Sequence, residues 1–137
     1  MNAHDSPRAT SPPLQATIGL LQSQPELEFA VLVGSRANGK AHDASDWDIA
    51  LQWSAQLDWL TVLAQTETLR CALALALRVP QTAVDLIELR RANLAMRASV
   101  AEEGLILSGA DSLAWARFLN RTWRELEDFY WDKQHAA

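Results

Sequence analysis

The stretch Phe29-Ala-Val-Leu-Val-Gly-Ser35, with the trio Asp46-Trp47-Asp48 following after ten intervening residues, decides the fold. Phe29 to Val33 is an unbroken apolar run, too short for a helix of its own, and reads as a buried strand bounded by Gly34. From Asp46 to Gln52 the polarity alternates. Trp47, Ile49 and Leu51 share one strand face, which should pack on helices, while Asp46, Asp48, Ala50 and Gln52 share the other. Between the two strands, Gly34 to Ser45 is small and polar with glycines at 34 and 39, a loop with room for one helical turn after Ser35.

Two carboxylates at i and i+2 on one strand face repel each other unless a cation or hydrogen-bond donors offset them. Oxygen ligands without histidine or thiolate suit a hard cation, Mg²⁺ or Mn²⁺. Taken alone, the pair also fits a simpler account, with Asp46 closing a turn after Ser45 and Asp48 solvated at a strand end. The preceding Gly34-Ser35 tilts the balance. A glycine lets backbone approach a ligand closely, and the amides that follow, with the Ser35 hydroxyl, can cradle phosphate oxygens. Arg36 and Lys40 add positive charge nearby.

Working outward, Leu14 to Ser23 spaces Leu14, Ile18 and Leu21 as a short amphipathic helix. Ser54 is a plausible cap for a helix that runs to Leu77 and is closed by Pro80. Val84 to Leu89 reads as a third strand, Asn93 to Glu103 as a helix, and Gly104 to Leu107 as a short fourth strand. Asp111 can cap a terminal helix reaching about Trp131. The order implies one α/β (α+β) domain, a small mixed sheet with helices packed mainly on one face. We expect a disordered leader over residues 1–13, a single domain over 14–131 and a tail over 132–137.

The terminal helix holds six of the ten aromatic residues. Trp115, Phe118, Leu119, Leu126, Phe129 and Tyr130 form one helical stripe that reads as core, and Trp123 and Trp131 lie to its side. Surplus aromatics of this kind suit a protein interface equally well. His42 reads as a solvated loop residue, Arg90 and Arg91 as surface arginines, and Cys71 as a small buried hydrophobe.

At 137 residues, 49% apolar and 21% charged, the chain has the size and composition of one globular domain that needs no disulfide. A lone cysteine points to a reducing compartment, hence the cytoplasm. The longest unbroken apolar run, Cys71 to Leu77, is far shorter than the ~20 residues that span a bilayer, so no membrane segment is expected. A net charge of -5 disfavours non-specific nucleic-acid binding.

The Gly-Ser and Asp-x-Asp pattern resembles the nucleotidyltransferase fold of the DNA polymerase β superfamily. Such enzymes resemble one another in placing a third carboxylate on a neighbouring strand, and Asp85 in Val84-Asp85-Leu86-Ile87 is the candidate; Glu88 would point to the opposite face. Within that superfamily the chain looks like the minimal nucleotidyltransferase (MntA-type) antitoxins of HEPN/MNT toxin–antitoxin systems. The similarity spans Gly34-Ser35-Arg36-Ala37, Gly39, Ser45-Asp46-x-Asp48-Ile49, Val84 to Arg90, and Gly104 before Ile106-Leu107. Trp47, where a smaller aliphatic is usual, and the proline-containing leader depart from it.

The resemblance implies transfer of AMP from ATP to a tyrosine hydroxyl of a HEPN-domain RNase toxin, with release of pyrophosphate. Asp46, Asp48 and Asp85 would be catalytic and would bind two Mg²⁺ ions, while Gly34, Ser35 and, more weakly, Arg36 would hold the nucleotide phosphates. The partners it implies are that toxin and ATP, with no direct nucleic acid and no membrane. Two other functions stand beside it: an antitoxin that masks the toxin without catalysis, and a small-molecule nucleotidyltransferase.

Overall fold

A computed structural model describes residues 11–136. The apolar run becomes β1 (Leu27–Val33), which is interior to a four-stranded sheet of order β3-β2-β1-β4. β2 (Trp47–Trp53) and β4 (Leu105–Ser108) pair antiparallel with it on either side. β3 (Val84–Glu88) runs parallel to β2 at the edge. An interior strand has helices to meet on both faces, which is why Phe29 to Val33 needs no polar alternation. The sheet is mixed, as expected.

Leu27, Ala30, Leu32, Ile49, Leu51 and Trp53 face α1 (Pro12–Gln22) and α3 (Trp59–Leu77), and this side holds the larger core, with Leu14, Leu21, Leu69 and Leu73. The opposite face is not bare. Phe29, Val31, Val33 and Ala50 are covered by Val100 of α4 (Leu94–Glu103) and Phe118 of α5 (Leu113–His135). The heavier layer thus lies on one face, with a second, lighter one over β1 on the other. By length and composition α3 could cross a membrane. Here it docks on the sheet through Val62, Leu69, Leu73, Ala74 and Leu77, and the Trp53 indole donates to Thr66 Oγ1 at 3.0 Å.

Helix boundaries differ from the sequence reading where several capping residues compete. α1 begins at Pro12, with Ser11 as its cap and prolines in the first turn, where their missing N–H costs nothing. The rest of the expected leader, residues 1–10, lies outside the described residues. Ser54 does not cap α3: its hydroxyl accepts from the Gln56 amide at 3.2 Å in a turn, and Asp58 caps instead, accepting from Thr61 at 2.7 Å. The strand runs on to Trp53, so the chain needs residues 54–57 to reverse. Ser112, not Asp111, caps α5, and that helix continues past Trp131 to His135.

The largest departure is on α5. Trp115 and Phe118 do enter the core, where they meet Phe29 at ring distances of 5.0 and 5.3 Å. Thr122 is the last fully buried residue on the helix. Phe129 and Tyr130, expected in the core stripe, are more than half exposed. At about 1.5 Å of rise per residue, Phe129 lies roughly 16 Å beyond Phe118, past the end of the sheet. Among the described residues the ring contacts of the distal aromatics stay within their own helix: Phe129 with Tyr130, and Trp131 with His135.

Candidate functional site

The strand register assembles the site. Parallel pairing of β2 and β3 sets Asp48 directly beside Asp85, and antiparallel pairing of β1 and β2 sets Val33 beside Asp48. The exit of β1 and the entries of β2 and β3 therefore meet at one end of the sheet. Asp48 shares its sheet face with Ala50, and Asp85 with Ile87, so both carboxylates rise on the side covered further along by α4 and α5. Asp46 precedes β2 and is exposed.

Gly34 is demanded by its backbone and lies closely against Asp48. Its φ of 73° lies in the left-handed region, and a Cβ there would collide with Asp48 Oδ2. The chain turns at this point into α2 (Ser35–Asn38), which places half-buried Ser35 at the rim of the carboxylate group.

Partial burial raises the Asp48 pKa above its ordinary value, and the negative charges of Asp85 and Asp46 raise it further. Among the described residues no hydrogen-bond donor and no cationic side chain is paired with Asp46, Asp48 or Asp85. Nor do three His, Cys, Asp or Glu side chains among them gather as a ready-made metal cluster. An all-oxygen set with no protein donors suits Mg²⁺ or Mn²⁺, and these residues could hold one.

Arg36 is placed differently from the rest. Its Nη2 donates to the Ser45 carbonyl at 2.8 Å and to the Asp43 carbonyl at 3.4 Å, and its guanidinium lies 4.2 Å from the Trp47 ring centre. It therefore ties α2 to the loop that delivers Asp46. Trp47 faces the α1 and α3 side, as the alternation required. His42 helps shape the same loop: its Nδ1 accepts from the Ala44 amide at 3.2 Å, and its own amide donates to Ser45 Oγ at 2.9 Å.

A cleft of about 400 Å³ opens beside Asp46 and Asp85, lined also by Arg70, Gln81 and Thr82. Arg70 donates to the Val84 carbonyl and pairs with Glu67 at 3.3 Å. Nothing in sequence spacing marks these three residues. They reach the site only because α3 and the 3₁₀ turn Gln81–Ala83 flank the entry of β3.

Residues 15–113 match the family model described as "Polymerase beta, Nucleotidyltransferase". The chain belongs to this nucleotidyltransferase family. Within it the chain is of the MntA type. A crystal structure of a toxin–antitoxin with AMP-PNP is similar at 30% identity and a TM-score of 0.68, over 88% of this chain and 92% of that one. The toxin–antitoxin MntA-HepT is similar at 28% identity and a TM-score of 0.62, over 89% and 91% of the two chains. A tri-AMPylated Shewanella oneidensis HEPN toxin in complex with MNT antitoxin matches at 28% identity and a TM-score of 0.62, over 89% and 90%. No curated protein matches the chain by sequence. As a nucleotidyltransferase, the chain brings Gly34, Ser35, Asp46, Asp48 and Asp85 to one end of its sheet, and holds Arg36 in α2, tied to the connecting loop.

Proposed function

We propose that this nucleotidyltransferase is an antitoxin that transfers AMP from ATP to a tyrosine hydroxyl of a HEPN-domain toxin. One observation carries the reading: Asp48 and Asp85 are register partners beside Gly34-Ser35, and with Asp46 they have no donor among the described residues. Asp46 and Asp85 are exposed, but half-buried Asp48 is neither paired nor fully solvated, which a purely structural carboxylate would be. The similarity to complexes described as holding AMP-PNP and a tri-AMPylated toxin supports the choice of nucleotide and acceptor.

In this reading Gly34 and Ser35 hold the β- and γ-phosphates through the backbone amides and the Ser35 hydroxyl. Arg36 fixes the loop on which Asp46 rides. Asp46, Asp48 and Asp85 hold divalent cations, Mg²⁺ in the first instance, whose charge would screen the triphosphate and the departing pyrophosphate. The tyrosine oxygen attacks the α-phosphorus; a bond forms there, the bond from that phosphorus to the α,β-bridging oxygen breaks, and pyrophosphate leaves with the electron pair. A phenol has a pKa near 10, so its proton must be taken as attack proceeds. In this reading Asp85, which is exposed and lines the cleft, takes it.

The test is incubation with Mg²⁺, a HEPN-domain toxin and ATP labelled separately at the α- and γ-phosphates, alongside Asp46→Ala/Asp48→Ala. Label from α-ATP alone, absent in the variant, is expected; label from γ-ATP would replace AMP transfer with phosphoryl transfer. A second reading, neutralisation by binding alone, draws on the exposed Phe129, Tyr130 and Trp131. A tight complex with no label from either position would establish it.

A further inference from the structure

At the end of the sheet opposite the carboxylate group, a cavity of about 550 Å³ lies between the start of β1 and α5. Glu28, Gln52, Arg90, Arg117, Phe118 and Arg121 line it. Arg90 is already neutralised there: it pairs with Glu28 at 2.6 Å and donates to the Trp53 carbonyl at 3.1 Å. Arg117 and Arg121 are not. They stand four residues apart on one side of α5, both exposed, and among the described residues neither has an ion-pair or hydrogen-bond partner. Through Ala55 and Arg90 the cavity adjoins a second one of about 200 Å³, whose walls include Trp53, Leu57, Trp59 and Val62. One face of the Trp59 ring is covered by Arg91, at 3.5 Å from the ring centre.

We infer that this two-part groove binds a short acidic segment of a partner protein, with a carboxylate between Arg117 and Arg121 and an adjoining apolar side chain in the Trp53–Val62 arm. Charge selects this occupant. The positive charge not paired with an acid is that of Arg117, Arg121 and Arg91, the last laid on the Trp59 ring; Glu28 sits among them, and the chain around them carries a net charge of -5. A nucleic acid or a nucleoside triphosphate would meet repulsion beyond the pocket, whereas one or two carboxylates are matched. The apolar arm favours a peptide over a free phosphate, which would leave it unfilled. With one indole face occupied by Arg91, a nucleobase could stack only on the other. The inference does not rest on the transfer reaction, and its test reads binding.

The measurement is fluorescence anisotropy of a short fluorescein-labelled peptide holding two glutamates beside a leucine and a phenylalanine, titrated with the full chain at low salt. Saturable binding is expected, weaker by about tenfold or more in Arg117→Ala/Arg121→Ala and partly retained in Arg117→Lys/Arg121→Lys. It should be unchanged in Asp46→Asn/Asp48→Asn and in the presence of ATP. Because both arginines are exposed, the alanine variant should melt with the parent, and this is measured alongside. Equal binding by parent and alanine variant, or no saturable binding, overturns the proposal. So does displacement of the peptide by equimolar inorganic phosphate or by an RNA oligonucleotide, either of which would assign the pocket to that ligand.

Discussion

The two ends of the sheet carry the same kind of residue and treat it in opposite ways. At the far end, the Glu88 carboxylate accepts from the amides of Trp53 at 3.3 Å and Arg90 at 2.8 Å, while Glu28 accepts from Arg90 and from the Gln52 amide. At the near end, Asp46, Asp48 and Asp85 stand together with no donor among the described residues. Burial raises the pKa of both Glu88 and Asp48. For Glu88 the donors pull it back, with Arg90 helping, whereas for Asp48 the neighbouring charges add to the rise. Carboxylates satisfied inside the protein support the fold; carboxylates left to one another await something from outside.

The sharpest way to break this contrast is to remove the unsatisfied group. Asp48→Asn should lower nucleotidyl transfer by about a thousandfold or more, as expected for loss of a cation-binding carboxylate, measured as label from α-ATP. The same variant should melt higher than the parent at neutral pH, on the order of 2 °C, because a like-charge conflict is relieved. Removing a satisfied group should do the reverse. Arg90→Ala leaves Glu28 with the Gln52 amide alone and frees the Trp53 carbonyl, so a stability loss of about 1 kcal/mol by denaturant titration is expected, with transfer per folded molecule unchanged.

Gly34→Ala tests how closely backbone and carboxylate are fitted. A Cβ at a φ of 73° is strained, and it would strike Asp48 Oδ2. Transfer should fall by about a hundredfold, with a stability loss of about 1–2 kcal/mol. Retention of full activity would mean that the turn relaxes freely, and that the close approach is incidental.

Much of this contrast is legible in the sequence, and what is missing has physical reasons. The alternation in β2 fixes the faces of Asp48 and Trp47, because a strand's period of two admits no other assignment, whereas Asp46, read as the strand's first residue, lies just before it. Asp85 follows from one further short strand. Arg36 is marked by its position next to Ser35, yet its hydrogen bonds to Ser45 and Asp43 and its stack on Trp47 depend on how the intervening loop folds. Arg70 and Thr82 reach the cleft through packing between elements far apart in the chain. The satisfied end is invisible for the same reason: Glu28 and Arg90 are 62 residues apart. The α5 stripe misleads because periodicity tells which face is apolar, not how far the sheet beneath it extends.

A smaller effect is expected from the brace. Trp47→Leu removes the surface on which the Arg36 guanidinium lies but keeps an apolar residue on the core side. Transfer should fall by about threefold to tenfold, through a weaker apparent affinity for Mg²⁺ and ATP rather than through loss of fold. If Arg36 acted chiefly by touching phosphate, Trp47→Leu would leave Mg²⁺ dependence unaltered.

The smallest effect is the most diagnostic of the electrostatics. Asp48 is expected to titrate above the ordinary aspartate value of 3.8 in the metal-free protein, by carboxyl-carbon NMR, since burial and then Asp85 and Asp46 favour its protonated form. Between that ordinary value and the raised one, the folded state holds more proton than the unfolded chain, so this group makes stability fall as pH rises. Asp85→Asn removes the larger of the two neighbouring charges. It should bring the Asp48 titration down toward, but not onto, the ordinary value, because burial remains. The pH slope of stability in that window should flatten with it. Adding Mg²⁺ to the parent should likewise shift the titration down, as the cation favours the ionised carboxylate. If Asp85→Asn left the titration where it was, burial alone would account for the rise, and the adjacency of Asp48 and Asp85 in the strand register would carry no electrostatic weight.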